Sequence, residues 1–285
     1  MKSATMLNIP VLSLIHEFAG YVMPAELFVE NALISQSIVV PAKIVKDSIM
    51  QRLSDIQKSQ VSHKVLVRPQ GKLPFIPPLY GCDLDKTALL DKIGIAQHSD
   101  YKIVVGAGSI DIRKGVDLFI SMAKYIKKYY KGKCKFVWVG DGLKDDDYKY
   151  SFWLKREVEL FQLENNFIFL EHQHNLDEIF AIADIYCLTS RMDPFPNIAI
   201  DALQANLPIA CFREASGTVE FLEKYNADSI VVDYLDTNQL AIEISEYLSR
   251  DDCRSHINAK LVNDHLCFDS YINFLIQQID HISSS

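Results

Sequence analysis

The sequence predicts an α/β protein with two Rossmann-like domains built on parallel sheets, the first of them incomplete. From Asp100 to Arg250, short apolar runs alternate with segments of helical periodicity, a pattern typical of βαβ units with helices on both sheet faces. A shorter run of the same alternation covers Pro10–Val67. The length of 285 residues and an apolar content of 49% fit a globular chain of about two domains.

Six apolar runs in the larger region are predicted to be buried strands, because each is short and rich in Val, Ile or Phe. They are Lys102–Gly106, Lys135–Gly140, Phe167–Leu170, Ile185–Thr189, Pro208–Phe212 and Ser229–Val232. An amphipathic helix is predicted after the first strand, with Phe119, Ile120 and Ala123 on its apolar stripe. The lysines of Lys124–Lys131 lie on another face of this helix and are interpreted as solvated.

The first region has the same pattern on a smaller scale. Strands are predicted at Pro10–Ile15, Ser37–Val40 and Lys64–Val67, and helices at Ala25–Ala32 and Ala42–Leu53. Three strands are few for an open parallel sheet, so this domain is either small and supported by its neighbour or part of a larger one. In the second case Val11, Leu12, Leu14 and the Ile38–Val40 strand would form an exposed apolar edge.

These patterns divide the chain into four segments. We predict a partial N-terminal domain over residues 1–72, a linker over 73–99, a C-terminal Rossmann-like domain over 100–265 and a final helix over 266–285. The linker assignment depends on the prolines of Lys72–Leu79.

Composition excludes several classes of protein. The net charge of −8 argues against nucleic-acid binding driven by overall charge. No apolar run approaches the roughly 18 residues of a membrane-spanning helix, and Met1–Ala19 lacks the features of a signal peptide. The six cysteines are scattered, so reduced thiols in a cytoplasmic protein are expected. They are Cys82, Cys134, Cys187, Cys211, Cys253 and Cys267.

The residues after the Lys102–Gly106 strand form the first candidate site, because parallel sheets bind ligands beyond the carboxyl ends of their strands. This loop opens like a dinucleotide-binding G-x-G-x-x-G, but Asp111 stands in place of the third glycine. Arg113 and Lys114 at a helix start suit a pyrophosphate better. Taken alone, however, the two cations are better explained as a solvated surface pair.

A second candidate site follows the Ile185–Thr189 strand. The prolines of Ser190–Leu203 suit the first turn of a helix, which places Asp193 just before the helix and Asp201 about two turns inside it. The spacing between Asp193 and Asp201 is not evidence of a site by itself, because 37 acidic residues produce several such pairs by chance.

The context of these two acids resembles the E-x7-E element of the retaining glycosyltransferases of family 4, which have the GT-B fold. The family's S-R-x-E-x-F-x-x-x-x-x-E-A compares with Ser190–Ala202, where Asp193 and Asp201 stand at the two glutamates. Seven further matches follow the family's order. Ser13–Glu17 resembles a strand ending in H-D or H-E, Pro69–Gly71 resembles P-N-G, Arg113–Leu118 resembles K-G-x-D-L, Val137–Gly142 resembles V-G-D-G, Ala183–Ile185 resembles A-D-V, Asn206–Ile209 resembles G-x-P-V, and Ala215–Glu220 resembles A-G-G-x-x-E.

The resemblance implies a GT-B-like architecture and transfer of a sugar from a nucleotide diphosphate donor, with retention and without a required metal or other cofactor. The donor would be a UDP-, GDP- or dTDP-sugar, and the acceptor a glycan or a lipid-linked glycoconjugate on the side of the N-terminal domain. Lys114 would hold the diphosphate, Asp193 the sugar hydroxyls and Asp201 the ribose hydroxyls. His16 would lie across the cleft near the reacting sugar and, with Asp193, is assigned as catalytic. The other predicted donor-binding residues are Ser109, Arg113, Phe195, Asn197 and Ile198.

The chain departs from the family pattern in ways that affect these assignments. Both acids are Asp, whose reach is roughly 1.5 Å shorter than that of Glu. Ser109 replaces a common arginine, and Pro196 removes one N–H from the anion-binding turn. The family also has about 100 more residues before the His16 strand. We therefore expect a fragment, an abbreviated member or the product of a truncated gene.

The leading hypothesis is a cytoplasmic retaining glycosyltransferase of polysaccharide or glycoconjugate assembly. The alternative is a catalytically inactive, truncated paralogue that binds a nucleotide or a protein partner. Peripheral contact with the inner face of a membrane stays open because of the basic run Ala42–Lys72, although a solvated surface is favoured. His172 and His174 have the spacing of metal ligands but no evident third ligand.

Overall fold

The computed structural model of the chain describes residues 4, 6–72, 86–96, 99–173, 176–250 and 255–284. The chain divides into two compact units. The first comprises Met1–Pro74, Pro194–Pro196 and Asn263–Ser285, and the second comprises Phe75–Asp193 and Asn197–Val262. Each unit contains one parallel sheet with helices, which confirms the predicted α/β class.

The sheet of the first unit has three parallel strands in the order β1-β2-β3. These are β1 (Leu12–Leu14), β2 (Ser37–Val40) and β3 (Val65–Val67). The prediction that Ile38–Val40 lies on an exposed edge is wrong, because β2 is the central strand and all three of these residues are 0% exposed. Leu14 on β1 is 48% exposed, as an edge strand allows.

Four helices belong to the described part of the first unit: α1 (Ala25–Ile34), α2 (Lys43–Gln51), α3 (Asp55–Val61) and the final helix, called α12 (Phe268–Ser283). The final helix is not a separate segment. The backbone N–H of Lys72 donates to the carbonyl of Leu266 at 2.6 Å, and Arg68 donates to the Ser270 hydroxyl at 2.8 Å. The last 23 residues, Asn263–Ser285, therefore group with the start of the chain rather than with the preceding domain.

The sheet of the second unit has six parallel strands in the order β6-β5-β4-β7-β8-β9. They are β4 (Lys102–Ala107), β5 (Cys134–Val139), β6 (Phe167–Leu170), β7 (Ile185–Leu188), β8 (Ile209–Phe212) and β9 (Ser229–Val232). All six predicted strands are confirmed. The strand order reverses between β4 and β7, and such a switch point is where open parallel sheets bind ligands at the carboxyl ends of their strands.

The helices of the second unit are α4 (Lys86–Lys92), α5 (Val116–Tyr129), α6 (Tyr150–Leu160), α7 (Asp177–Ile182), α8 (Asn197–Gln204), α9 (Thr218–Lys224), α10 (Thr237–Leu248) and α11 (Ile257–His265). Helix α4 lies inside the predicted linker of residues 73–99. The prolines that suggested a linker lie before it, whereas Leu89 and Ile93 are 8% and 1% exposed. Their burial favours a packed helix over an extended connection.

The main core lies against α5 and α10 on one face of the six-stranded sheet. The predicted apolar stripe of α5 is confirmed, since Phe119, Ile120 and Ala123 are fully buried. The Trp138 ring packs edge-to-face on Phe119 with centroids 5.4 Å apart. Its indole N–H donates to the carbonyl of Gly108 at 3.0 Å, so this core residue also anchors the loop that follows β4.

The described cysteines support the expectation of reduced thiols. Cys134, Cys187 and Cys211 are free and buried, and Cys267 is free and exposed. Burial raises the pKa of the Cys211 thiol to about 12, so this thiol stays protonated at neutral pH. Cys82 and Cys253 lie outside the described residues.

Candidate active site

The turn after β4 presents Lys114. The Asp111 carboxylate accepts from the backbone N–H of Arg113 at 2.7 Å and so caps a 3-10 turn over Ile112–Lys114. Gly115 ends this turn with φ +70°, and a Cβ there would lie 1.9 Å from the carbonyl oxygen of Thr189. Only glycine allows the turn after β4 to approach the residue that follows β7 this closely.

The loop after β7 presents Asp193. The backbone N–H of Asp193 donates to the carbonyl of Ala215 at 2.8 Å, and its carbonyl accepts from the N–H of Gly217 at 3.2 Å. The residue is 4% exposed. These two backbone hydrogen bonds hold Asp193 on the loop after β8, independently of the contacts of its side chain.

The structure brings Lys114 and Asp193 together. Lys114 Nζ lies 2.6 Å from Asp193 Oδ2, and the side chains are 19% and 6% exposed. The Ser190 hydroxyl donates to the same oxygen at 3.4 Å. A nearly buried ion pair at the switch point between β4 and β7 is an arrangement that can exchange partners with an anionic, hydroxyl-rich ligand.

Arg191 joins the two loops that carry this pair. Its guanidinium donates to both carboxylate oxygens of Asp117, with Nη1–Oδ1 at 2.9 Å and Nη2–Oδ2 at 2.6 Å. It also donates to the carbonyl of Ile112 at 2.7 Å. The Tyr150 hydroxyl donates to Asp117 Oδ1 at 2.8 Å. We call these three side chains, Arg191, Asp117 and Tyr150, the positioning network.

Sequence reasoning assigned no role to the positioning network. Two of its members do have a signal in the sequence. Asp117 stands at the Asp of the K-G-x-D-L element, and Arg191 stands at the Arg of the S-R-x-E element. Tyr150 has no comparable signal, because it lies 33 residues from Asp117 and meets it only through the packing of α6.

Helix α8 carries three of the predicted donor-binding residues. Asn197, its first residue, is exposed, Ile198 is half-buried, and Asp201 is half-buried one turn later. The first N–H groups of a helix have no acceptor within the helix and favour anions. Asp201 and Asp193 also share a neighbour: burial and the negative charges of both carboxylates raise the pKa of the Tyr186 hydroxyl.

The remaining predicted donor-binding residues are placed as follows. Ser109 is exposed in the loop after β4, and Arg113 is half-buried beside Lys114, with its carbonyl accepting from the N–H of Arg191 at 2.8 Å. Phe195 is buried and belongs to the first unit. Its carbonyl accepts from the Gln70 amide at 2.6 Å.

His16 lies in the first unit, two residues after the end of β1, and is exposed. The atoms around its ring desolvate the imidazolium and lower its pKa. The neutral ring is therefore favoured at neutral pH, which leaves one ring nitrogen able to accept a proton or a hydrogen bond.

The His172–His174 metal hypothesis receives no support. The backbone N–H of His172 donates to Asp141 Oδ1 at 2.9 Å, and His174 lies outside the described residues. Among the described residues, no three His, Cys, Asp or Glu side chains are grouped as metal ligands would be. In the same part of the chain, none of the helices has the length and apolar character needed to cross a bilayer.

Comparison with known families identifies the chain. The sequence profile of the family described as "Glycosyl transferases group 1" matches residues 91–261, which is more than half of the 285 residues. The chain belongs to this family. The match contains Lys114, Asp193, Asp201 and the positioning network.

Two curated relatives share part of this region. An uncharacterized glycosyltransferase of Haemophilus influenzae is 25% identical over 136 residues, which is 47% of this chain and 36% of that protein. An alpha-galactosylglucosyldiacylglycerol synthase of Streptococcus pneumoniae is 29% identical over 113 residues, or 38% of this chain and 27% of that protein. The chain thus matches about a third of the length of these relatives.

Solved structures agree on the fold. The Anabaena protein HepE, in complex with UDP and glucose, superposes with a TM-score of 0.79 at 15% identity, covering 98% of this chain and 74% of HepE. The chain therefore has a GT-B-like α/β fold with two parallel sheets, one of them small, as the motif resemblance implies.

Proposed function

We propose that this chain transfers a sugar from a nucleotide diphosphate donor to a glycan or glycoconjugate acceptor, with retention of configuration and without a metal. The observation that carries the proposal is the Lys114–Asp193 ion pair, with Nζ and Oδ2 2.6 Å apart at the switch point of the larger sheet. It supplies a cation for a diphosphate and a carboxylate for sugar hydroxyls at one place.

Each member of the site has a chemical task in this proposal. Lys114 leaves Asp193 to bind the diphosphate and stabilises the negative charge that develops on the leaving group. Asp193 then accepts hydrogen bonds from the donor sugar. Asp201 accepts from the ribose hydroxyls, and the first N–H groups of α8 face the phosphates. His16, with its pKa lowered, is proposed to act at the reacting sugar in its neutral form.

The comparisons suggest which donor and acceptor to test first. HepE is described in complex with UDP and glucose, so UDP-glucose is the first donor to try. The Streptococcus pneumoniae relative is named for a glycosylated diacylglycerol, which makes a glycolipid the first acceptor. A cytoplasmic location beside a membrane is consistent with such an acceptor and forms part of the proposal.

A donor screen in the presence of EDTA tests the proposal. UDP-, GDP- and dTDP-sugars are compared by thermal shift, since a ligand stabilises the state it binds. The stabilising donors are then incubated with a diacylglycerol glycolipid. We expect nucleotide release that depends on acceptor and persists in EDTA, with an α-linked product from an α-linked donor by NMR. Stabilisation by donors without any transfer would instead favour the inactive nucleotide-binding alternative.

A further inference from the structure

We propose that Arg191, Asp117 and Tyr150 are positioning residues that hold Lys114 against Asp193. The role in donor binding rests on the proposed function, whereas the geometric role does not. None of the three side chains is assigned to contact a substrate. Their effect would pass through the turn that carries Lys114.

Arg191 connects the turn that carries Lys114 with the loop that carries Asp193. It lies two residues before Asp193, so anchoring it restrains the loop after β7. Its backbone N–H and its guanidinium donate to the carbonyls of Arg113 and Ile112, at 2.8 and 2.7 Å. Both acceptors belong to the turn that presents Lys114. Arg191 therefore links the two loops through two hydrogen bonds, next to the bond that the Thr189 hydroxyl donates to the carbonyl of Gly115 at 3.0 Å.

Asp117 orients Arg191. The bidentate contact leaves the guanidinium one rotational position, because two parallel hydrogen bonds fix a plane. The two side chains are 26% and 27% exposed, so water screens this pair less than it screens a surface ion pair. Burial alone would raise the pKa of Asp117, but the hydrogen bonds from Arg191 and Tyr150 outweigh it and lower the pKa. The carboxylate therefore stays charged at neutral pH.

Tyr150 completes the network from a third element. Its hydroxyl donates to Asp117 Oδ1 at 2.8 Å and accepts from the backbone N–H of Asp117 at 3.4 Å. Its ring packs against the main core. Replacement by Phe removes the two hydrogen bonds and keeps the ring, so it separates positioning from packing. Tyr148 is 82% exposed, and Tyr148→Phe is the matched control.

The position of Lys114 can be read directly by NMR after reductive ¹³C-methylation of the lysines. Its resonance is identified by its loss in Lys114→Arg. We expect Tyr150→Phe to move this resonance toward that of the exposed Lys131, and Asp117→Asn to move it further. Tyr148→Phe should leave it in place. An unchanged Lys114 resonance in both network variants would overturn the proposal, even if their stability fell.

Kinetics then connect the geometry to the proposed function. With a donor that the wild type uses, Tyr150→Phe should lower kcat/KM by about 3- to 10-fold, less than the loss of a direct hydrogen bond between a charged group and the donor, because Tyr150 acts only through Asp117. A shifted resonance with unchanged kcat/KM would contradict the role in donor binding. If the wild type transfers no sugar, the proposed function fails, while the NMR comparison still decides whether the network positions Lys114.

Discussion

At the scale of single residues, Asp193 and Asp201 stand where the family pattern has two glutamates, and their side chains are shorter. Asp193 reaches Lys114 because its backbone is held by the Ala215 and Gly217 contacts, so a shorter side chain still makes a 2.6 Å contact. The sequence predicts which residues follow β4 and β7. It does not predict the ion pair, because that depends on the loop after β8.

The role of Asp201 leads to the first prediction. If its carboxylate accepts ribose hydroxyls, Asp201→Ala should weaken UDP binding by about 10- to 150-fold, the value of hydrogen bonds to a charged group. Isothermal titration calorimetry measures this. Glu246→Ala, at an exposed position on α10, is the control and should bind UDP like the wild type.

Asp193→Ala provides the contrasting outcome. Removing Asp193 releases Lys114 for the diphosphate, so UDP should bind at least as tightly as before, whereas the intact UDP-sugar should bind more weakly. Equal UDP affinity in folded Asp201→Ala and wild type would show that the ribose is held elsewhere.

At the scale of secondary-structure elements, local periodicity predicts most strands and helices but not their arrangement. The buried stripe of α5 and all six strands of the larger sheet follow from apolar patterns. The central position of β2 does not, because strand order is set by long-range pairing that leaves no local pattern. Helix α4 lies in the region predicted as a linker, because the prolines before it indicate a connection and a helix this short has too few apolar residues to show a clear periodicity.

The turn between β4 and α5 is the element whose geometry the site needs most. Gly115→Ala combines a left-handed backbone with a Cβ placed 1.9 Å from the Thr189 carbonyl. We expect it to lower the free energy of unfolding by more than roughly 1–3 kcal/mol, the usual cost of the backbone conformation alone. Urea unfolding measures this change.

Gly94→Ala is the matched control for that prediction. Gly94 also has a positive φ of +65°, but a Cβ there meets only the end of the Lys135 side chain at 3.6 Å. It should show the conformational cost without the clash. Equal destabilisation in the two variants would mean that the approach of Gly115 to Thr189 is not a constraint.

At the scale of the whole molecule, burial differs between the edge strand β1 of the smaller sheet and the inner strand β4 of the larger one. Strand β1 is half-buried with Leu14 exposed, whereas β4 is buried from Ile103 to Ala107. A segment opens more often when it is less buried and its backbone hydrogen bonds are more exposed. Amides of Leu12–Leu14 should therefore exchange with solvent at least about tenfold faster than those of Ile103–Val105. Hydrogen exchange with mass spectrometry compares them, and equal protection would contradict the prediction.

The account as a whole depends on Lys114 acting as the cation of a sugar-transfer site. The most direct test is the rate of transfer from the best donor for wild type, Lys114→Met and Lys131→Met, the last at an exposed lysine beyond α5. We predict that Lys114→Met lowers transfer by about 100-fold or more while remaining folded, as expected for loss of a charge that stabilises the leaving group. Lys131→Met should match the wild type. Transfer by Lys114→Met at the wild-type rate would contradict the account.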